Sequence, residues 1–320
     1  MKNTIIYTAS ALLIIVISAL TGIYFTYGNF GNFFASLSGP HIQGKLFTIH
    51  DTEPNFSPEY MLQSQSCTQS QFDSFGYKDL VSQLDQQPQY NRRQWEMVYI
   101  IKALQERSML TSNKNGVGFG LISDPLRSLF AKPGMQIVFY QVNKIISEDQ
   151  GQIYAQQVES LGNHFDDKAL FNNESSNSIL IKKLESSSIP SEFQIFDFLW
   201  SSATASYLGS IDKGERFILD SVNSIKPGGV AVHILEYNLS SNEGTIFEGS
   251  VVLFRKKDIQ KIVTNLVQKG HEVYLNLNPG SGKLDYYIDP PPYKPNPHIK
   301  AKIGGYASTS FGIIIRKKSE

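Results

Sequence analysis

The chain has 320 residues, 41% of them hydrophobic, and its 29 Lys plus Arg balance 29 Asp plus Glu. Zero net charge excludes the strong positive field that non-specific nucleic-acid binding needs. The single cysteine, Cys67, excludes an intrachain disulfide and a cysteine-held metal cluster, and the length suits one large domain with appendages or two small ones.

Thr4 to Tyr27 carries no charged residue. As a helix it would span about 36 Å, enough for a hydrocarbon core of about 30 Å. Tyr24, Phe25 and Tyr27 sit at one end, where interfacial aromatics belong. A cleaved signal peptide is the competing reading, but its apolar region is shorter, roughly 7–15 residues. The expectation is a single-pass anchor over residues 4–27 of a membrane protein, with the side of the globular part open. Residues 1–28 then form the anchor and 29–89, rich in Gly, Ser and Gln, a juxtamembrane stalk and irregular lead-in. The α/β domain occupies 90–320.

Tyr90-Asn91-Arg92-Arg93-Gln94-Trp95 opens a helix to about Met109, with Trp95, Val98, Tyr99, Ile101 and Leu104 as its apolar face. Asn115 to Gly120 reads NGVGFG. Glycines between a first strand and a helix allow close backbone approach to a nucleoside or carboxylate, so Gly116, Gly118 and Gly120 are candidate cofactor residues. Gln136–Gln141 and Ile179–Glu185 read as the second and third strands. Phe196 to Trp200 is the fourth, followed by a small, polar loop. A helix from Ile211 to Ile225 ends at Lys226-Pro227-Gly228-Gly229, and Val230–Leu235 is the fifth strand.

Strand–helix–strand units with short links predict right-handed parallel crossovers and a ligand beyond the carboxyl ends of the strands. Those ends are Ser201-Ser202 and Glu236-Tyr237-Asn238. Ser201, Ser202, Glu236 and Asn238 are therefore the candidate acceptor residues. Strand alternation puts His233 on the face opposite Glu236, so no shared dyad is implied. His233 reads equally as a satisfied core histidine. No ligand set for a metal is visible, and no catalytic residue is assigned. A helix from Asp258 to Lys269, a strand at His271–Asn276, an extended Asp289–Tyr293 segment that could fold over the site, and a final antiparallel strand at Thr309–Ile315 complete the chain.

Residues 196–202 read FDFLWSS, 208–222 LGSIDKGERFILDSV and 225–242 IKPGGVAVHILEYNLSSN, with DPPPY and PHIK further on. Together they resemble the second half of a class I S-adenosylmethionine-dependent methyltransferase, in a bacterial group built on FDFxWSS and LKPGGxAVHTTEFNLSSN. The resemblance covers residues 90–318. It implies a Rossmann-like, seven-stranded, mostly parallel sheet with helices on both faces and the last strand antiparallel. It implies S-adenosylmethionine as cofactor, a small-molecule or glycan-like acceptor, and no nucleic acid. By the same resemblance Gln141 stands where an acid accepts the ribose hydroxyls, and Glu185 where one accepts the adenine amino group. Three positions depart from the group. Ile122 replaces the third glycine, Gln141 replaces the ribose acid, and Ser206-Tyr207 replace a Glu-His pair. The implied function is a divergent methyltransferase. The alternative is a catalytically inactive, membrane-anchored binding or scaffold module.

Overall fold

The computed structural model describes residues 61–74, 76–120, 126–130, 134–141, 179–183 and 195–319. Thr4–Tyr27, Ile122 and Glu185 lie outside them. Among the described residues no helix is long and apolar enough to cross a membrane.

Five strands form the parallel heart of the sheet: β2 (Asn115–Gly120), β3 (Gln136–Gln141), β4 (Ile179–Lys183), β5 (Phe196–Ser201) and β6 (Ile225–Asn238). They run in the order β4-β3-β2-β5-β6. The order reverses between β2 and β5, which is the switch point of a doubly wound, Rossmann-like sheet. β10 (Tyr306–Arg316) closes this run antiparallel to β6, with Gly312 opposite Ile234. The mostly parallel sheet and its antiparallel last strand follow the sequence expectation.

The far edge departs from it. β1 (Ser64–Ser66), from the segment expected as an irregular lead-in, pairs with β10 through Gln65 opposite Gly312. Among the described strands β7 (Leu275–Asn276) pairs only with β1. The expected strand over His271–Asn276 shrinks to these two residues and a bridge from Glu272 to Arg316, because β1 has taken the pairing edge of β10. With the short β8 (Ile288–Asp289) and β9 (Lys300–Ile303), the described sheet has ten strands rather than seven.

The lead-in adds two short helices, α1 (Gln69–Phe72) and α2 (Tyr77–Ser82). α3 (Arg92–Glu106) starts where the Asn91 side chain accepts from the Arg93 amide at 2.8 Å. These helices, with α4 (Leu126–Phe130), cover one face of the sheet over Phe198, Trp200, Val230, Val232 and Ile234. α5 (Ile211–Ser221) and α6 (Lys256–Gln268) cover the other, over Leu199, Ala231, Leu235 and Phe311. The alternation of β5 and β6 thus feeds two separate cores. Lys226-Pro227-Gly228-Gly229 does not precede the strand but lies inside β6. Pairing shifts there from Phe196–Ile225 to Phe198–Val230, and Gly228 takes φ +74°. It is a bulge, which glycine accommodates without a Cβ penalty.

Candidate functional site at the carboxyl edge of the sheet

In a doubly wound sheet ligands sit beyond the carboxyl ends of the strands at the switch point, here those of β2 and β5 with β3 and β6 beside them. Gly116 and Gly118 do not reach that edge. Both lie within β2, and a Cβ on Gly116 would overlap the Phe198 ring and one on Gly118 the Trp200 ring. Phe130 packs edge-on against both rings from α4, at 5.9 and 5.0 Å between centroids. These glycines are seats for aromatic side chains of the neighbouring strand. That packing is the use the described residues show for the two expected cofactor glycines. Gly120 does end β2, and it stands in register with Gln141 at the end of β3. Gly120 and Gln141 stand at the edge where a doubly wound sheet takes a nucleoside, and Gly116 and Gly118 lie further back in the strand.

At the ends of β5 and β6 the candidate acceptor residues are bound to their own protein. His233 is fully buried on the α5 face, with Ser221 Oγ 2.8 Å from Nε2 and Ser201 Oγ 2.8 Å from Nδ1. Ser221 donates to the Ile218 carbonyl at 2.6 Å. Its oxygen must therefore accept from Nε2–H, and Nδ1 then accepts the Ser201 proton. Burial holds this imidazole neutral, its pKa pulled down to about 3. The core reading of His233 is the right one, and Ser201 is its partner.

Glu236 faces α3 instead, as alternation requires. Arg92 Nη1 donates to its Oε2, and Arg93 Nη2 to its Oε1 at 2.8 Å. Ser308 adds a hydrogen bond at 3.3 Å. Burial opposes the charge, but the two guanidiniums overcome it and hold the carboxyl down at about 2. Arg93 also pairs with Glu96 at 2.7 Å, and Glu96 accepts from Ser310. Arg92 Nε reaches His298 Nε2 at 3.4 Å, and His298 Nδ1 lies 2.7 Å from Asp289. The ion cluster is sealed, each of Arg92, Arg93, Glu96, Glu236, Asp289 and His298 being no more than 3% exposed. Asp289 is thus strapped to the core, and Tyr293 donates to the Lys302 carbonyl at 2.8 Å. The Asp289–Tyr293 segment is anchored to β9 and α3.

Asn238 is spent as well. Its Nδ2 donates to Gly244 O and Thr245 Oγ1 at 3.0 and 3.2 Å, and its Oδ1 accepts from the Ser240 and Ser241 amides. It builds the loop after β6. The Ser202 amide donates to the Phe119 carbonyl at 3.1 Å, tying β5 to β2 at the switch point. Ser206 accepts from the Glu236 amide at 2.8 Å, and burial pushes Tyr207 up to about 12. Both side chains are buried, and neither supplies a proton near neutral pH.

Reasoning from sequence missed Arg92, Arg93 and Glu96 as partners of Glu236. The signal was present as three charges in the first turns of a helix whose residues 92–101 are all buried. Among the described residues no group of three or more His, Cys, Asp or Glu side chains could hold a metal ion.

No family model and no curated protein matches the chain. Solved structures match the chain at low similarity. A SAM-dependent methyltransferase from Methanosarcina mazei is 14% identical, with 68% of this chain and 98% of that one covered and a TM-score of 0.39. One from Clostridium acetobutylicum is 10% identical over 72% and 93%, with a TM-score of 0.38. One from Aquifex aeolicus is 14% identical over 67% and 87%, with a TM-score of 0.35. Likeness at this level says nothing of what this chain binds.

Proposed function

We propose that the chain is a divergent S-adenosylmethionine-dependent methyltransferase acting on a small polar or glycan-like acceptor and held to a membrane by residues 4–27. One observation carries the reading: the β4-β3-β2-β5-β6 order with antiparallel β10, whose switch point sets Gly120 beside Gln141 at the ligand edge. The motif resemblance over residues 196–242 agrees with it. Gly120, Gln141 and Glu185 would hold the cofactor, which when bound supplies an electrophilic methyl group. Ser202 and the loop after β5 would border the acceptor. Glu236, whose oxygens are taken by Arg92 and Arg93, and His233, held between two serines, are committed to the protein and do not serve there as acid or base. Methyl transfer by proximity and alignment tolerates that.

A second reading is a binding or scaffold module that keeps the fold without the cofactor. The aromatic rings over Gly116 and Gly118 and the internal use of Ser201, Glu236 and Asn238 favour it. Calorimetric titration of S-adenosylmethionine into the full chain in detergent separates the two. Saturable binding that tightens in Gln141→Asp supports the methyltransferase, because an acid there adds a charge-assisted hydrogen bond. Absence of binding to both proteins, each shown to be folded, rejects it in favour of the module.

A further inference from the structure

The end of the sheet opposite the ligand edge gathers cations. β10 finishes there at Arg316, opposite Val230 of β6, and Lys317 and Lys318 follow. α6 runs to the same end, where Lys269 and His271 come after its last turn. The two segments touch: the Lys318 amide donates to His271 Nδ1 at 3.3 Å, and a Cβ on Gly270 would lie 3.3 Å from Lys318 Cδ.

These cations meet backbone carbonyls and solvent. Lys317 Nζ donates to the Ile225 carbonyl at 2.8 Å and Arg316 Nη1 to the Gly228 carbonyl at 3.2 Å. Lys269 and Lys318 are exposed. Burial first, and then Lys317, Lys269 and Lys318, hold the His271 ring below its ordinary range. Carboxylates at this end are engaged elsewhere. Asp197 lies 3.1 Å from Lys114 and 3.0 Å from Lys226, and Glu106 accepts from the Leu62 amide at 2.7 Å. Glu272 interacts with Tyr274 and Arg107. Val267, 42% exposed, borders the cluster, its carbonyl accepting from the Gly270 amide at 2.8 Å.

The chain enters the described domain at this same end. The Leu62 carbonyl accepts from Arg107 at 2.9 Å, the Ser64 amide donates to the Tyr274 carbonyl at 2.8 Å, and Glu272 bridges to Arg316. Residues 1–60, with the uncharged run 4–27, therefore lead in from the basic end. A bilayer fits these features better than a nucleic acid or an acidic protein. The chain as a whole has no net charge, so its attraction to anions is local. An exposed valine among lysines suits a surface that is anionic outside and apolar just beneath. We propose that the amino edge of the sheet, through Lys269, Lys317 and Lys318, rests on an anionic bilayer surface and turns the ligand edge away from it. The proposal rests on the membrane anchor of the proposed function.

Ser319→Cys, at an exposed position next to Lys318, takes a fluorophore while the buried Cys67 does not. The labelled full chain is assembled into phosphatidylcholine nanodiscs with or without phosphatidylglycerol, each carrying a headgroup spin label as quencher. Quenching is expected in the anionic discs and should fall in high salt to the level of the neutral ones. Lys269→Glu with Lys318→Glu, both exposed, should lower the ratio of docked to undocked domain at least about 25-fold, about fivefold for each cation lost. Recovery of the chain with neutral discs reads the anchor separately. Chain that enters the discs but is quenched equally in both, or in neither, overturns the proposal and leaves the anchor standing. Chain recovered with neither disc refutes the anchor and the proposal with it. Quenching that survives the double variant also overturns the proposal. So does a fluorophore that ignores lipid and responds to polyglutamate, which would give the surface to an acidic protein.

Discussion

Glu236 joins the sheet to α3, and its worth can be worked from its surroundings. Its carboxyl lies at about 2, against an ordinary 4.5, because Arg92 and Arg93 outweigh the burial that opposes its charge. The folded state therefore favours the ionised form. The stabilisation is complete above about pH 4.5 and is lost as pH falls through about 2. The gap is worth roughly 3 kcal/mol. It matches the loss of about 3–5 kcal/mol expected when one member of a buried ion pair is removed. Glu236→Gln keeps the shape and removes the charge. Urea unfolding followed by the fluorescence of Trp95 and Trp200, both buried, gives the difference between variant and parent. That difference should be roughly 3 kcal/mol at pH 7 and should close as the pH is lowered towards 2. A cost below about 1 kcal/mol, the worth of a solvent-exposed pair, would refute the reasoning. So would a cost that does not change with pH.

Gly118→Ala should destabilise by about 1–3 kcal/mol, because its Cβ overlaps the Trp200 ring under Phe130; unfolding curves check it. Lys300→Met should cost at least about 3 kcal/mol. The buried Nζ donates to the Cys67 and Pro279 carbonyls at 2.6 and 3.2 Å and lies 3.5 Å from Asp285, and methionine leaves that carboxylate without a cation. The His233 ring should show no protonation by NMR between about pH 5 and 8. Its folded pKa of about 3 lies below the ordinary 6.5, so stability should decline as pH drops from about 6.5 towards 3, and a His233→Phe variant should lose that part of the decline.

Much of the architecture is legible in local pattern. The run Phe196–Trp200 becomes β5 with one residue added, Gln136–Gln141 is β3 to the residue, and Ser210 starts α5 as an N-cap. Hydrophobic period and caps are local properties, so one sequence suffices to place these elements. Alternation along β6 also put His233 and Glu236 on opposite faces, which the two separate environments bear out. The long-range pairings are a different matter. Ser64–Ser66 has no strand pattern of its own. It is a strand because β10 leaves an edge at Phe311–Gly312 and because Tyr99 packs on Gly312, which has no Cβ to obstruct it.

The candidate site divides the same way. The sequence by itself determined the order of the elements and the strand ends where a ligand edge must lie. Only the tertiary structure decided how they are used. Gly116 and Gly118 lie under rings from β5, 80 and more residues away in sequence. Glu236 meets arginines from a helix more than 140 residues earlier. A glycine's purpose depends on which atoms approach it, and a buried carboxylate's charge on which cations surround it. Neither is a local property of the chain, and both are set when distant segments close on one another.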